Sequence, residues 1–281
     1  MLFKILLSLI FLYKSYSKIT YDPILAKYYV NAVQTTYCIS DPTQWNCITC
    51  DKNMFPEYVV DINGVRAIQG YDSKNSVIFT VFRGSSNFQN WIDNIQISKL
   101  SPYNDTTISV EKGFYKAYEY VEIDLLKNIH SLSLKYLTNN NIIAGHSLGG
   151  ALATLLSYTI VNNYSHYNII SLFTYGSPRV GNKNFVKSFT GYNISSYRVT
   201  HYYDMVPHVP EELLGYLHIP NEIWYNKNNS HYKTCNDYNV NEDNLCSNSC
   251  SPIHCTSITD HLYYLNISLG NDQLCFVPTY M

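Results

Sequence analysis

Short apolar runs alternate along the chain with longer segments in which apolar residues recur at helical spacing. The first such segment lies between Ile24 and Val33, where apolar side chains return every three to four positions. Further helices are predicted over Phe114–Leu137, Leu148–Asn162 and Lys183–Phe189. Strands are predicted over Tyr58–Ile62, Arg66–Gln69, Ser76–Phe82, Asn141–Gly145, Ile169–Tyr175, Tyr197–Tyr203 and Glu222–Tyr225. This alternation predicts an α/β fold with a mainly parallel central sheet flanked by helices.

The composition is that of a folded domain. The chain has 281 residues, of which 46% are hydrophobic and 14% charged, so it can bury a large core. We find no internal repeat and no Gly/Ser-rich linker, and we therefore expect residues 18–281 to form a single domain. The formal net charge is -2 without a long basic run, which gives no support to a nucleic-acid partner.

The N-terminal segment has the pattern of a secretory signal peptide. Lys4 precedes the apolar run Ile5–Tyr13, and Ser15 and Ser17 provide small residues for cleavage after residue 17. The alternative is a membrane anchor, but spanning needs about 20 apolar residues, and Lys14 ends the run too early. We predict a secreted, extracellular protein with no integral membrane segment after cleavage of residues 1–17.

The eight cysteines predict disulfides, because their number is even and the chain is expected to be exported. Eight cysteines allow about 105 pairings, so their number alone does not select one. Cys246, Cys250, His254 and Cys255 could alternatively bind zinc, but an exported chain favours disulfides. Glycosylation sequons, which also suit a secreted glycoprotein, begin at Asn104, Asn163, Asn193, Asn228 and Asn266.

A G-x-S-x-G motif at Gly145–Gly149 predicts a nucleophilic serine. An apolar strand precedes the motif and an Ala/Leu-rich helix follows it, which is the setting in which a sharp turn projects the serine hydroxyl from a sheet edge. Side chains at positions 145 and 149 would collide with the neighbouring strand or helix. The positive end of the helix would stabilise a developing oxyanion, with the N–H of Leu148 as one donor. We predict Ser147 as the nucleophile; the alternative is an ordinary tight turn.

A serine nucleophile needs a base and a carboxylate that orients it, and in this fold they follow the serine in the order acid, then histidine. Asp204 ends the strand-like run Tyr197–Tyr203, at the same sheet edge as the serine; the alternative is that it caps a turn. Among the nine histidines, His261 is the best-placed base. His231 and His254 are the alternatives.

Several motifs resemble those of the fungal-type (class 3) triacylglycerol lipases, and the similarity runs from about Tyr21 to the C-terminus. The resemblance implies the α/β-hydrolase fold, a catalytic triad of Ser147, Asp204 and His261, and no cofactor. The motifs are Gly145–Ala153, Phe82–Ser86, Tyr175–Asn182, Arg198–His201, Asp204–Pro210 and Asp260-His261-Leu262-x-Tyr264.

The resemblance also implies roles for residues outside the triad. Ser85 would complete the oxyanion hole through its backbone N–H and hydroxyl; the alternative is an ordinary loop serine. A short helical lid would place an apolar stripe over the site, although the same spacing suits a core-facing helix. The stripe consists of Phe88, Trp91, Ile92 and Ile95. The implied disulfides are Cys38–Cys275, Cys47–Cys50 and Cys235–Cys246, which leaves Cys250 and Cys255 as the remaining pair.

Three positions depart from the pattern of the family. Glu111 stands where many relatives have His, Tyr203 where they usually have Asn, and Pro220 where they usually have Gly. None of these departures removes a triad member, but all three bear on pocket shape and substrate choice.

We expect a secreted lipase that hydrolyses carboxylic esters of acylglycerols through an acyl-enzyme and contacts a lipid interface transiently. An apolar lid favours a water-insoluble ester, because opening it in water exposes apolar surface. The alternatives are a phospholipase A1 or a feruloyl or acetyl esterase of the same family, and an inactive secreted glycoprotein.

Overall fold

A computed structural model describes residues 20–85, 92, 95, 97–192, 194–237, 242–250, 254–270 and 275. The predicted signal peptide, residues 1–17, lies outside the described residues, and so do Phe88 and Trp91 of the predicted lid. None of the helices in the described part of the chain combines the length and the apolar character needed to cross a bilayer.

An eight-stranded sheet organises the described residues, in the order β1-β2-β3-β6-β7-β8-β9-β10. The neighbours from β3 through β9 are parallel, whereas β1, β2 and β10 pair antiparallel at the two edges. Two small ladders, β4 with β5 and β11 with β12, lie outside this sheet. The strands are β1 (Met54–Ile62), β2 (Val65–Asp72), β3 (Val77–Phe82), β4 (Lys99–Leu100), β5 (Val110–Glu111), β6 (Asn140–His146), β7 (Asn168–Tyr175), β8 (Ser196–His201), β9 (Glu222–Tyr225), β10 (Tyr232–Thr234), β11 (Tyr263–Tyr264) and β12 (Ile267–Ser268).

Helices cover both faces of the sheet. They are α1 (Pro23–Cys38), α2 (Lys112–Glu119), α3 (Glu122–Tyr136), α4 (Leu148–Asn163), α5 (Lys183–Thr190) and the short α6 (Ile258–His261). Consecutive residues of a strand point to opposite faces, so Ile142 joins the core under α1 while Ile143 joins the core under α2 to α5. This mainly parallel sheet with helices on both faces confirms the predicted α/β-hydrolase fold.

The helix predicted over Phe114–Leu137 is two helices, α2 and α3, with a break at Tyr120 and Val121. Buried apolar residues continue at helical spacing through the break, from Tyr118 to Val121 and on to Leu125. Periodicity alone therefore does not reveal the break. Acidic residues in the first turn of α3 stabilise the positive end of a new helix there.

Four disulfides link Cys38 to Cys275, Cys47 to Cys50, Cys235 to Cys246, and Cys250 to Cys255. They include the three pairs that the family resemblance implies, and the two remaining cysteines form the fourth pair. All eight cysteines are thus bonded, and none is available as a thiolate ligand for zinc.

The polar segment after β10 carries two largely buried carboxylates, Asp237 and Glu242. Asp237 accepts a hydrogen bond from buried Arg198 of β8, at 3.3 Å. Glu242 forms a two-fold ion pair with buried Arg179, with both N–O distances at 2.7 Å. The arginines that pair with these carboxylates lie far away in the sequence, so local polarity alone does not reveal their burial.

Candidate active site

Ser147 lies in a strained turn between β6 and α4. Its backbone angles are φ 57° and ψ −128°, a conformation that non-glycine residues adopt only at an energetic cost. Its N–H donates to the carbonyl of Tyr175 at 2.9 Å, which ties the turn to β7. A Cβ on Gly145 would lie 2.1 Å from the carbonyl oxygen of Gly149, and one on Gly149 would lie 2.5 Å from that of Arg83. The predicted need for small residues on both sides of Ser147 is confirmed.

Asp204 and His261 meet through a buried ion pair. The His261 Nδ1 atom lies 3.0 and 2.9 Å from the two carboxylate oxygens of Asp204, and both side chains are at most 1% exposed. Asp204 follows the end of β8, and His261 is the last residue of α6. The residues before Asp204 and before α6 are held together by a hydrogen bond from the N–H of Ser257 to the carbonyl of Tyr203, at 3.0 Å.

Two further donors fix the Asp204 carboxylate. The Tyr264 hydroxyl donates to Oδ2 at 2.5 Å, and the N–H of Val206 donates to Oδ1 at 2.8 Å. A carboxylate only accepts hydrogen bonds, so the Nδ1 atom of a neutral His261 carries the proton and Nε2 is its basic nitrogen. This is the tautomer that a general base needs if it is to accept a proton from a serine.

Gly176 provides the space for this pair at the end of β7. Its φ is +58°, and a Cβ there would lie 2.6 Å from Asp204 Oδ2, 2.8 Å from the Tyr264 hydroxyl and 2.9 Å from His261 Nδ1. The motif that contains Gly176 was recognised from the sequence, but its contact with the acid and base was not. The one sequence signal was a glycine directly after a predicted buried strand.

The segment that follows β3 reaches Ser147 from the other side. A Cβ on Gly84 would lie 3.0 Å from the Cβ of Ser147, so Ser85 follows a residue in contact with the nucleophile. Leu148 is the first residue of α4, where N–H groups have no acceptor within the helix. The Ser147 hydroxyl is buried and forms no hydrogen bond with any residue that the structure describes.

Most of the predicted lid falls outside the described residues. Ile92 and Ile95 are described individually and are partly buried, and the N–H of Ile95 donates to the carbonyl of Ile92 at 3.2 Å. The predicted lid and the alternative of a core-facing helix therefore both stay open.

The alternative bases lie elsewhere in the molecule. His231 and His254 are both exposed, whereas Asp204 is buried and is hydrogen-bonded to His261. His231 contacts the hydroxyl of its neighbour Ser230 at 3.0 Å. The geometry favours His261 over both.

A cavity of about 610 Å³ opens beside the loop that follows Asp204. Its lining includes Met205, His208, Val209 and Leu213. Burial and the positive charge of Arg179 lower the pKa of His208 to about 4. His208 is therefore neutral at neutral pH and adds no positive charge to this wall.

Two of the departures from the family pattern have visible consequences. Glu111 is fully buried and caps α2, where its carboxylate accepts the N–H of Phe114 at 2.6 Å. Burial raises the pKa of this carboxyl, although the N–H groups of Phe114 and Gly113 oppose the shift. Tyr203 stacks on Tyr202 with ring centroids 4.0 Å apart. Nothing in the structure explains why proline stands at position 220.

The comparisons with known proteins agree with this geometry. The family model described as lipase (class 3) matches residues 79–214. The lipase of Rhizopus niveus is 32% identical over 256 residues, which are 86% of this chain and 63% of that protein. The chain thus spans less than two thirds of the length of this relative.

Two further comparisons involve Rhizomucor miehei. Its lipase is 30% identical over 252 residues, 86% of this chain and 68% of that protein. The solved structure of the triacylglyceride lipase from the same fungus superimposes with a TM-score of 0.80 at 29% identity. This match covers 90% of this chain and 96% of that chain. Sequence and structure therefore agree that the chain belongs to the class 3 lipase family.

Proposed function

We propose that this protein is a serine hydrolase that cleaves the carboxylic ester bonds of acylglycerols. The observation that carries the proposal is the buried Asp204–His261 pair beside a strained serine turn. A histidine held in one tautomer by a carboxylate is the arrangement that activates a serine hydroxyl. Membership of the class 3 lipase family supports the same chemistry.

In the proposed mechanism, the Ser147 hydroxyl attacks the ester carbonyl while His261 Nε2 accepts its proton. Asp204 keeps the ring in this tautomer and stabilises the imidazolium, which then protonates the departing alcohol. Water next attacks the acyl-enzyme, with His261 again as the base. The Ser147 hydroxyl forms no hydrogen bond with the described residues, and catalytic hydrogen bonds often tighten only when substrate binds.

The negative oxygen of the tetrahedral intermediate would be stabilised by the N–H of Leu148 and by the N–H and hydroxyl of Ser85. Support comes from the place of Leu148 at the start of α4 and from the contact between Gly84 and Ser147. Removal of one such donor typically raises the barrier by about 3 kcal/mol. No cofactor takes part in these steps.

The proposed substrate is a water-insoluble acylglycerol reached by transient contact with a lipid interface. Support comes from the apolar spacing of Phe88, Trp91, Ile92 and Ile95 in the sequence and from the triacylglyceride lipase among the similar structures. An apolar lid helix opens at lower cost where lipid covers the exposed surface.

We further propose that the protein acts outside the cell. The structure contains four disulfides. Such bonds form and persist in oxidising compartments, which supports this location. The signal-peptide pattern of residues 1–17 supports the same location.

The proposal is tested by hydrolysis of a triglyceride emulsion with wild type, Ser147→Ala and His261→Ala. Both variants should lose at least about a thousandfold in kcat, since each removes a member of the triad. Ser157→Ala is a matched control, because it removes a buried serine hydroxyl of α4 that donates to the carbonyl of Ala153 at 2.8 Å. Full activity in either triad variant would refute the assignment.

A substrate panel separates the lipase from its alternatives. A lidded lipase should accelerate when a monomeric ester is raised above the concentration at which it forms micelles. Equal rates on both sides of that concentration, with a preference for aryl or acetyl esters, would instead identify a soluble-ester esterase. A preference for phospholipid would identify a phospholipase. A folded wild type that hydrolyses none of these esters would support the inactive glycoprotein.

A further inference from the structure

Tyr37 and His146 form a hydrogen-bonded bridge behind the nucleophile. The Tyr37 hydroxyl contacts Nδ1 of His146 at 2.7 Å and accepts the N–H of Gly84 at 2.9 Å. On the other side of the ring, Nε2 of His146 contacts the backbone carbonyl of His261 at 2.8 Å. Three hydrogen bonds thus connect the backbone before Ser85 with the backbone of the proposed base.

The donors and acceptors of this bridge can be assigned without ambiguity. A carbonyl only accepts, so Nε2 of His146 carries a hydrogen and donates to His261. In the neutral ring Nδ1 is then an acceptor, and the Tyr37 hydroxyl donates to it. The oxygen of Tyr37 in turn accepts the N–H of Gly84. Each group of the bridge thus donates a hydrogen bond to the next one, in the order Gly84, Tyr37, His146 and His261.

His146 acts in this bridge as a neutral ring. Burial, together with the neighbouring His261 ring, holds the pKa of His146 well below its ordinary value. The two imidazoles lie 4.5 Å apart between centroids, so a positive charge on His146 would oppose protonation of the base. Both nitrogens of His146 are engaged, which also explains why the histidine beside the serine is not the base.

The bridge connects the two sides of the proposed active site, with the nucleophile between them. Ser147 lies between its two ends, next to His146 in sequence and in contact with Gly84. The two ends belong to segments far apart in the chain, one after β3 and one at α6. Tyr37 comes from a third segment, the last turn of α1, where the neighbouring Cys38 is bonded to Cys275.

We propose that Tyr37 and His146 are positioning residues. They hold the segment of Gly84 and Ser85, which carries the proposed oxyanion donor, at a fixed distance from the general base on the other side of Ser147. This inference rests on the proposed function. Neither side chain takes part in bond making. A displacement of about 1 Å between reacting groups can cost a hundredfold in rate, so loosening the bridge should lower kcat and leave substrate binding nearly unchanged.

Tyr37→Phe tests the proposal, because it removes one hydroxyl and keeps the ring that packs in the core. The matched control is Tyr29→Phe on the same helix, whose hydroxyl donates to Asp72 at 2.8 Å, away from the triad. Both variants should lower the thermal midpoint by a similar amount, about 2–4 °C. On a soluble short-chain ester, only Tyr37→Phe should lose about tenfold in kcat, with KM within about twofold of wild type.

The rate at which a fluorophosphonate labels Ser147 gives a second readout that does not depend on substrate binding. Labelling should slow in Tyr37→Phe by about the same factor as kcat and stay near the wild-type rate in Tyr29→Phe. Wild-type kcat and labelling in Tyr37→Phe, or equal losses in both variants, would overturn the bridge and leave the proposed function intact. A wild type that neither hydrolyses nor labels would overturn both.

A double-variant experiment tests whether the two residues act as one unit. His146→Gln removes the ring and keeps an N–H donor in the side chain. Because the two residues belong to one hydrogen-bonded bridge, breaking it twice should cost little more than breaking it once. The double variant with Tyr37→Phe and His146→Gln should therefore have a kcat within about twofold of that of His146→Gln alone. Independent, multiplicative losses would contradict a shared bridge.

Discussion

Tyr264 and Gly176 determine where the Asp204 carboxylate can lie. Gly176 leaves room for it at the end of β7, and the Tyr264 hydroxyl donates to Oδ2, one of the two oxygens that contact His261 Nδ1. A hydrogen bond to a charged acceptor contributes about 1.5–3 kcal/mol, more than one between neutral groups. Tyr264 should therefore affect how well the proposed acid orients its base.

We expect Tyr264→Phe to lower kcat by about tenfold, because Asp204 loses a donor and gains freedom to rotate away from His261. Tyr263→Phe is a matched control, since the neighbouring Tyr263 is partly exposed and donates to Asn266 at 3.3 Å. The check is kcat on one soluble ester for the two variants. Equal values for both would mean that the Tyr264 bond does not support the acid.

At the scale of residues, the sequence predicted those parts of the site whose position depends on the order of residues in the chain and on where strands end. The motif placed Ser147 between a strand and a helix, and the end of a strand placed Asp204 at the same edge. The structure brings Asp204 and His261 together as expected. The contacts of Tyr37 and Gly176 were not predictable, because they join segments more than 25 residues apart and leave no local pattern.

At the scale of elements, buried ion pairs attach the segment after β10 to the sheet. Arg179 contacts Glu242, and Arg198 contacts both Glu222 and Asp237. Burial alone would raise the pKa of Glu242, but the hydrogen bonds and the positive charge of Arg179 lower it well below its ordinary value. The neighbouring His218 adds no positive charge at pH 7, because burial keeps the pKa of its ring well below 6.5.

This cluster predicts a loss of stability in acid. A carboxyl whose pKa is lower in the folded state stabilises the fold above its unfolded pKa, near 4.5, and that contribution falls as the pH drops below this value. Glu242→Gln should lower the free energy of unfolding by about 3 kcal/mol at pH 7, because it leaves Arg179 buried without its closest partner.

Chemical unfolding of wild type and Glu242→Gln at a series of pH values measures this contribution. The difference between them should shrink as the pH falls from 5 towards 3. The control Glu119→Gln removes an exposed ion pair with Lys116 and should change stability by less than about 0.5 kcal/mol. A difference that stays constant with pH would show that the Glu242 charge does not stabilise the fold.

The helix pair α2 and α3 shows what periodicity can and cannot predict about elements. It identified the segment and its buried face correctly, because Tyr118, Leu125 and Ile129 pack into the core. It missed the break, since the same spacing continues across Val121. The order of the strands was also not predictable in detail, because a strand of given pattern pairs equally well with several neighbours.

At the scale of the whole molecule, one disulfide connects the first helix to the far end of the chain. Cys38 and Cys275 are 237 positions apart, whereas Cys47 and Cys50 are only 3 apart. A cross-link removes more entropy from the unfolded chain when it closes a longer loop. The Cys38–Cys275 bond should therefore contribute more to stability than the Cys47–Cys50 bond.

Replacing Cys38 and Cys275 together by serine should lower the free energy of unfolding by about 5 kcal/mol, on the loop-entropy account. The same change at Cys47 and Cys50 should lower it by only about 1–2 kcal/mol. Guanidinium unfolding of both variants and wild type under oxidising conditions measures the difference. Equal losses would argue that local packing at each bond, and not loop length, determines its contribution.

The most direct test of the central claim is to locate the residue that a fluorophosphonate modifies in the folded wild-type protein. Peptide mapping by mass spectrometry should find one adduct, on Ser147, and its formation should be abolished in His261→Ala, because the hydroxyl then has no base. An adduct on another serine, or labelling of Ser147 at the wild-type rate in His261→Ala, would contradict the account.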